Sequence, residues 1–357
     1  MTDSVMVLAR LTAALAGHAL ERGAQFLLER QGADGLWRDF LTPAGEASEW
    51  PTGFIGTALV LAGADQDAVL RATEALVANQ HADGGWGYNE NVPCDADSTA
   101  CVLRFLALMG HAGNSCERAV RFLCAHQRTE DGGIATYRES GPIRRFMGVG
   151  PWMRFHGWCS PHTEVTATAG RALATVSPSD RRAEVNAAWR FVRSRQCSDG
   201  SWSSYWWTSP HYTVLQAVEL ALLLGEHAPV DRAAAWAIRT QQDDGGWSTP
   251  AIATSAFATA LCLCILVNAG AEQRPLERAV ERLVALQDAD GGWPSHPIMR
   301  IPLPGDADPN RRRRWPFSKL GRGIVVSDQH RTFTSAACLT ALTHVRHAAR
   351  EPHESFD

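Results

Sequence analysis

The 357-residue chain is 45% hydrophobic, which suffices to bury a large core, and its length is compatible with one large repeat domain. Its formal net charge of −4 gives no overall basis for binding nucleic acid, and its basic residues cluster only locally, at Arg311, Arg312, Arg313, Arg314, Lys319 and Arg322. Its nine cysteines lack metal-binding spacing and indicate reduced thiols in a cytoplasmic protein.

The first predicted element is the partly apolar segment at residues 1–23, MTDSVMVLARLTAALAGHALERG. Arg10, His18 and Glu21 lie within it, and it has neither a basic leading region nor a clear cleavage site, so no signal peptide is expected. No stretch of the chain reaches the uninterrupted apolar length of a membrane span. We therefore expect a protein that is soluble or attached peripherally to a membrane.

One phrase recurs six times along the chain. The copies read QGADGLW, QHADGGW, QRTEDGGI, QCSDGSW, QQDDGGW and QDADGGW, and they begin at Gln31, Gln80, Gln127, Gln196, Gln241 and Gln287. Successive copies are 45 to 49 residues apart, except for a spacing of 69 between the third and the fourth. Such a period is typical of stacked helical units.

Each unit contains two predicted helices. An apolar stretch of helical period, such as residues 68–80, runs into the glutamine, and the Asp-Gly turn ends it because glycine accepts the left-handed conformation of a helix C-terminus. A second, more apolar helix follows, such as residues 98–110. Six such hairpins give about twelve helices and almost no strand, which predicts an all-α, single-domain (α/α)6 barrel over residues 1–357 with an inner and an outer ring.

The repeated QxxDGxW turns resemble the QW motifs of squalene–hopene cyclases, oxidosqualene cyclases and class II diterpene cyclases, over about residues 24–345. We interpret the motif as scaffold, in which the glutamine bonds the start of a neighbouring helix and the indole packs over the turn. Its tryptophans are Trp37, Trp86, Trp202, Trp247 and Trp293, whereas the third unit has Ile134, which predicts a repacked joint. Protein prenyltransferase β subunits share the barrel, so the motif does not determine the reaction.

Two connections before the inner helices are enlarged, at about residues 134–162 and 293–328. Long loops on one face of a repeat scaffold usually hold the functional site, so we expect them to surround the mouth of a cavity. Their aromatic and basic residues are Phe146, Trp152, Phe155, Trp158, Trp315, Phe317, Arg144, Arg145 and Arg154, together with the basic cluster. These arginines either bind a diphosphate or other acidic head group or form a solvated charge run.

The most specific motif is DADSTA at residues 95–100, which resembles the DxDDTA acid motif of these cyclases. The resemblance implies that Asp97 protonates the substrate, with Asp95 as the neighbour that raises its pKa. Ser98 replaces the last aspartate of the motif, but oxidosqualene cyclases also have a non-acidic residue there. An alkene, an epoxide and a carbonyl therefore remain open as the group protonated. The alternative is that these aspartates only cap the inner helix.

Residues 160–173, SPHTEVTATAGRAL, resemble the Pro-Glu/Asp-Val-Thr-Ala segment of the cyclases. Several family members place a histidine or asparagine directly after it, where that residue bonds the acid or acts as a base. Thr168 occupies that position here, so His162, His156 and His211 are the candidates to replace it. For each histidine the alternative is an ordinary buried polar group.

Residues 199–218, DGSWSSYWWTSPHYTVLQAV, resemble a segment of bacterial class II diterpene cyclases. The resemblance implies that aromatic and polar side chains lie at an inner-helix entrance, where aromatic rings stabilise a carbocation. They are Trp206, Trp207, His211 and Tyr212, and Glu49 with Trp50 occupies the corresponding entrance of the first unit. Core packing is the alternative for the tryptophans.

Neither an Asp-x-Cys zinc motif at an inner-helix start nor a DDxxD magnesium motif is present, which favours protonation over ionisation of a diphosphate. The sequence therefore predicts a class II-type terpene or meroterpenoid cyclase, an isomerase or lyase acting on a polyprenyl substrate. We expect no cofactor unless Mg²⁺ accompanies a diphosphate. A non-catalytic isoprenoid-binding barrel and a zinc prenyltransferase-like enzyme are the alternatives. Because the family's pockets usually lie between two barrel domains, both a monomer and a homodimer remain open.

Overall fold

The computed structural model describes residues 3–176, 179–312, 315 and 323–349. Twelve of its helices follow the repeats, and one further helix lies in the third connection. In chain order they are α1 (Asp3–Leu28), α2 (Glu49–Ala62), α3 (Gln66–Ala78), α4 (Ala96–Leu108), α5 (Asn114–His126), α6 (Ser140–Phe146), α7 (Thr163–Val176), α8 (Arg182–Arg193), α9 (His211–Leu223), α10 (His227–Thr240), α11 (Ala256–Asn268), α12 (Gln273–Leu286) and α13 (Thr332–Ala348).

The twelve repeat helices form two concentric rings. Helices α2, α4, α7, α9, α11 and α13 each contact the next in this order, and α13 contacts α2, so the inner ring closes. The outer helices α1, α3, α5, α8, α10 and α12 cover it. Helix α11 is buried from Ala256 to Leu266, since an inner helix has neighbours on every side. The predicted (α/α)6 barrel is confirmed.

Hydrogen bonds within the repeated turns agree with the scaffold interpretation. Gln31 Nε2 donates to Gly35 O within its own turn and to Ala68 O near the start of α3, both at 2.8 Å. Trp37 Nε1 donates to Leu27 O of α1 at 2.7 Å. Each turn therefore ties one outer helix to the next. In the third unit Ile134 is fully buried but supplies no indole donor.

The few strands are short and lie in the connections, where they form three two-stranded antiparallel hairpins that were not predicted. They are β1 (Asp39–Thr42) with β2 (Gly45–Ala47), β3 (Trp247–Thr249) with β4 (Ile252–Ser255), and β5 (Pro297–Ile301) with β6 (Ile324–Ser327). A connection longer than a turn must satisfy its own backbone groups, and a hairpin does so locally. An isolated bridge between Trp207 and Met299 also joins the fourth and sixth connections.

Among the described helices, none has both the length and the apolar character needed to cross a bilayer.

Candidate active site

A cavity of about 480 Å³ opens at the end of the barrel where the inner helices begin. This volume lies in the usual range for small-molecule pockets, roughly 300–1,000 Å³. Five of the six connections contribute to its lining, including both enlarged ones. Most lining side chains are apolar or aromatic, so the cavity suits a hydrocarbon chain.

Asp97 and Asp95 are both part of this lining. Asp95 is the N-cap of α4 and accepts hydrogen bonds from the backbone N–H of Ser98 at 2.8 Å and from its hydroxyl at 2.6 Å. The N–H of Asp95 donates to Trp86 O at 3.1 Å. The capping alternative therefore describes Asp95, whereas Asp97 lies in the first turn with its carboxyl at the cavity.

The environment of Asp97 favours the neutral carboxylic acid. Its Oδ1 atom is buried without a hydrogen-bond partner. Burial, followed by the negative charges of Asp95 and Glu164, raises the pKa of Asp97 to about 8, although a hydrogen bond with Thr168 opposes the rise. Asp97 is partly accessible because it faces the cavity. At neutral pH it is therefore mostly protonated.

Asp95 behaves differently although it is more deeply buried. Burial raises its pKa to about 6, while the two bonds from Ser98 stabilise the carboxylate and limit the rise. At neutral pH the pair therefore consists of a mostly ionised Asp95 beside a mostly protonated Asp97. Such a separation of two pKa values is how enzymes assign different roles to neighbouring carboxyl groups.

Glu164 of α7 is a third carboxyl near Asp97, and it was not predicted from the sequence. It is fully buried, and its Oε1 atom accepts hydrogen bonds from the backbone N–H groups of Tyr205 and Trp206 at 2.6 and 2.8 Å. Burial raises the pKa of Glu164. The one feature of the sequence that could have indicated Glu164 is its acidic side chain within the segment SPHTEVTATAGRAL. It holds the backbone that presents Trp206 to the cavity.

Four tryptophans line the cavity, namely Trp50, Trp158, Trp206 and Trp207. Trp207 stacks on Tyr212 with ring centroids 4.2 Å apart and meets Trp50 edge-on at 6.3 Å. Trp206 Nε1 donates to Thr136 Oγ1 at 2.9 Å. Stacking and hydrogen bonding fix the orientation of these rings, as stabilising a cation by their π faces requires.

Arg300 of β5 is the one basic residue among the described lining residues. It is 4% exposed, and its guanidinium donates to the carbonyls of Ser204 and Tyr205 and to Asn310 Oδ1. Arg300 was not predicted from the sequence, because no motif surrounds it in PIMRI. The other lining residues that were not predicted are Thr42, Pro43, Ala44, Tyr88, Val92, Ser98, Thr136, Tyr137, Ile143, Met147, Val149, Met299 and Ile301.

Several expected substrate-contacting residues do not line the cavity, and two of them instead support it from behind. Glu49 is fully buried next to Gly87. Thr168 donates to Glu164 O at 2.9 Å and also bonds Asp97. Tyr212 likewise lies behind Trp207, on which it stacks. Thr168 and Tyr212 thus position the lining instead of contacting the cavity themselves.

The candidate histidines also lie outside the lining. The ring of His162 stacks on Tyr205 at 3.6 Å, and burial lowers its pKa to about 3, so it is neutral. His211 packs against Trp236 at 5.3 Å, towards the outer ring, because the first turn of α9 directs it there. His156 is exposed. The expected replacement of Thr168 by a histidine partner is therefore not seen.

Only some of the arginines and aromatic residues of the enlarged loops line the cavity. Phe146 lines the cavity, as Trp158 does. Arg144 donates to Ser140 Oγ at 3.0 Å and to Gly150 O at 2.9 Å, and it covers the Phe155 ring, so its own loop holds it away from the cavity. Three further residues lie outside the lining and are exposed, namely Arg145, Arg154 and Trp152. Trp315 also lies outside the lining, against Arg300 and Arg312. The remaining expected residues, Arg313, Arg314, Phe317, Lys319 and Arg322, lie outside the described residues.

Matches to known families cover most of the chain. Residues 88–296 match the model of the squalene–hopene cyclase C-terminal domain, and residues 2–149 match that of the prenyltransferase alpha-alpha toroid domain.

Two curated relatives match over part of their length. Drimenyl diphosphate synthase from Streptomyces showdoensis is 30% identical over 207 residues, which are 55% of this chain and 35% of that protein. A squalene–hopene cyclase from Bradyrhizobium diazoefficiens is 26% identical over 231 residues, covering 57% of this chain and 35% of that protein. The chain thus spans about a third of the length of these relatives.

A solved structure matches over nearly the whole of both chains. It is a variant of the type II terpene cyclase MstE from Scytonema, in complex with the substrate geranylgeranyl dihydroxybenzoate. It is 28% identical to this chain with a TM-score of 0.87, and the match covers 95% of this chain and 99% of that one. A further structure of MstE contains its product, merosterolic acid A.

Proposed function

We propose that this chain, which belongs to the squalene–hopene cyclase C-terminal domain family, is a class II terpene cyclase that starts the cyclisation of a polyprenyl substrate by protonating it from Asp97. One observation carries this proposal. The carboxyl of Asp97 lies at an apolar cavity with one buried oxygen unpartnered and with a pKa raised to about 8.

The reaction begins with transfer of the Asp97 proton to a carbon of the terminal double bond. An alkene is an extremely weak base, so the acid must be neutral, poorly solvated and held in place. The resulting carbocation is attacked by the π electrons of the next double bond, and each attack closes a ring. Loss of a proton or capture of water ends the sequence, so the product is an isomer or a hydrate of the substrate.

The aromatic lining stabilises the cation as it migrates. A desolvated aromatic face contributes about 2 kcal/mol or more to binding a cation. Trp50 and Trp207 present fixed rings near the inner-helix entrances, and Trp206 lies beside Thr136. Because the rings are held before the substrate binds, no reorganisation is needed when charge develops.

We propose an acidic head group for the substrate, in the vicinity of Arg300. Arginine binds carboxylate and phosphate oxygens well. The guanidinium of Arg300 is oriented by its hydrogen bonds to the backbone carbonyls of Ser204 and Tyr205. A single described lining cation matches a singly charged carboxylate better than a diphosphate. The extensive match to MstE, whose substrate is a geranylgeranyl dihydroxybenzoate, supports the same choice. A diphosphate, with accompanying Mg²⁺, is the second candidate.

The test is conversion of a panel of substrates. The purified protein is incubated with geranylgeranyl dihydroxybenzoate, geranylgeranyl diphosphate, farnesyl diphosphate, squalene and oxidosqualene, and products are analysed by mass spectrometry. We expect a cyclic isomer or hydrate from the prenylated benzoate. An unaltered bound lipid would instead indicate a non-catalytic binding barrel.

Asp97→Asn tests the role of the acid. We expect this variant to keep its circular dichroism spectrum and to make no product. The matched control is Asp243→Asn, which changes an exposed aspartate in the fifth repeated turn and should leave conversion unchanged. An Asp97→Asn variant with full activity would overturn the assignment.

A further inference from the structure

A buried glutamate lies behind the aspartate pair and has no role in the chemistry described so far. Glu49 is the first residue of α2 and has no exposed surface. Its Oε2 atom accepts a hydrogen bond from the N–H of Gly87 at 2.7 Å, while its Oε1 atom is buried without a hydrogen-bond partner. A carboxyl group that is buried and half-satisfied is costly, which indicates a function.

Glu49 and Asp95 are hydrogen-bonded to two consecutive residues, Gly87 and Trp86. Glu49 binds the N–H of Gly87, and the preceding residue, Trp86, accepts the N–H of Asp95 at 3.1 Å in an isolated antiparallel bridge. The two carboxyl groups are close enough that the charge of Asp95 adds to burial in raising the pKa of Glu49, which reaches about 7. Glu90 contributes a smaller effect of the same sign.

Glu49 also has a neighbour at the protein surface. Its Oε1 atom lies 3.9 Å from Nε2 of His81, whose side chain is 25% exposed. A movement of about 1 Å would bring this contact within hydrogen-bond distance. The backbone of His81 forms the repeated turn through Gly85 O, so the imidazole itself is not needed for the turn. The other units have Gly32, Arg128, Cys197, Gln242 and Asp288 at this position.

We propose that Glu49 re-protonates the aspartate pair after each catalytic cycle and that His81 is the entry point for protons from solvent. This inference rests on the proposed function. Glu49 acts through the aspartates and does not touch substrate, because it does not line the cavity.

The proton balance requires that Asp97 regain one proton in each cycle. Each cycle transfers one proton from Asp97 to the substrate, and the final cation, or its water adduct, releases one proton. Asp97 is then a carboxylate facing a cavity that contains product. In the proposed route the His81 imidazolium gives a proton to Glu49, Glu49 gives one to Asp95, and Asp95 gives one to Asp97, so one proton enters for each one released.

The first experiment compares two kinetic regimes in Glu49→Gln. With enzyme in excess, each molecule uses only the proton it already holds, so we expect a wild-type rate constant. With substrate in excess, we expect the rate to fall by about a hundredfold or more, as for loss of a proton-transfer group. A variant slowed equally in both regimes, or in neither, would overturn the proposal.

The second experiment separates the proton route from a structural role. His81→Ala should slow only the multiple-turnover reaction, and added imidazole should restore it. The matched control is His330→Ala, which removes another surface histidine paired with a glutamate, at 2.7 Å from Glu46 Oε1, and should have no effect. Failure of imidazole to restore a slowed His81→Ala variant would exclude His81 as the entry point.

A third measurement does not depend on turnover, so the relay can fail independently of the proposed function. The infrared band of the protonated Asp97 carboxyl is identified as the band that is missing from Asp97→Asn. After rapid transfer of the protein into D₂O, infrared difference spectra follow the deuteration of this carboxyl group. We expect slower exchange in Glu49→Gln and in His81→Ala than in wild type. Exchange at the wild-type rate in Glu49→Gln would overturn the relay whether or not a substrate has been found.

Discussion

The hydroxyl oxygen of Thr99 accepts a hydrogen bond from the backbone N–H of Trp86 at 3.0 Å. Thr99 is two residues from Asp97 in α4, and Trp86 belongs to the second repeated turn. The bond therefore joins the scaffold motif directly to the helix that presents the acid. Equivalent bonds join Trp37 to Thr52, Ile134 to Thr166, Trp247 to Thr259 and Trp293 to Ser335.

Replacing Thr99 by valine should therefore affect both stability and activity. The change leaves the buried N–H of Trp86 unpaired, which costs about 1–3 kcal/mol in the free energy of unfolding. Displacement of the first turn of α4 should also slow catalysis. Thr259→Val is the control, since it removes the same bond in a unit whose connection does not line the cavity. Denaturant unfolding should show similar losses for both variants, and equal activities would contradict the positional role of Thr99.

The single-turnover rate constant should depend on pH through Asp97. The protonated form is the active one, and its pKa is raised to about 8. The rate constant should therefore be level below about pH 7 and should fall about tenfold per pH unit well above pH 8. Single-turnover assays across this range measure it directly. A rate that increased with pH over the same interval would contradict an acid role.

Asp95→Asn should move this pH profile towards lower pH. The charge of Asp95 raises the pKa of Asp97, so its removal lowers that pKa, by about one unit or more for a neighbouring charge. The alkaline decline should then begin at a lower pH, with a reduced rate at pH 8. An asparagine can still accept the N–H of Ser98 and cap α4, so the fold should persist. An unchanged profile would show that Asp95 does not set the acidity of Asp97.

Two substitutions of Trp207 separate its aromatic face from its size. Its Nε1 atom has no hydrogen-bond partner, so phenylalanine removes no hydrogen bond and keeps a π face. Leucine removes the π face, and a loss of about 2 kcal/mol corresponds to a rate about thirtyfold lower. Trp152→Leu is the control, since that side chain is 82% exposed. Equal single-turnover rates for the phenylalanine and leucine variants would contradict cation stabilisation.

The ion pair between Arg171 of α7 and Glu219 of α9 should be important for stability. The two side chains are 6% and 15% exposed, and Arg171 also bonds Gln216. Arg171→Met leaves Glu219 without this partner and should cost about 3–5 kcal/mol in the free energy of unfolding. The double variant Arg171→Met with Glu219→Leu should recover much of that loss in denaturant unfolding. A single variant as stable as wild type would show that the pair contributes little.

The repeats allowed the barrel to be predicted because their information is local. The period of the apolar residues specifies helices, and the Asp-Gly turns specify where they end; Gly35 and Gly84 adopt the left-handed conformation, with φ of 84° and 95°. The pairing of β5 with β6 could not be predicted, since it joins residues on either side of the long segment between Ile301 and Ile324. Arg300 was missed for the same reason.

The sequence by itself determined the helical repeats, the closed double ring and the position of Asp97 at the start of an inner helix. Only the tertiary structure decided which side chains act on that carboxyl and line its cavity, because Glu164, Thr136 and Arg300 come from separate connections and helices. It also decided that Asp97 and Asp95 differ in acidity, since a pKa depends on burial and on nearby charges. Motif spacing specifies the order of residues along the chain, whereas desolvation arises only when distant segments pack together.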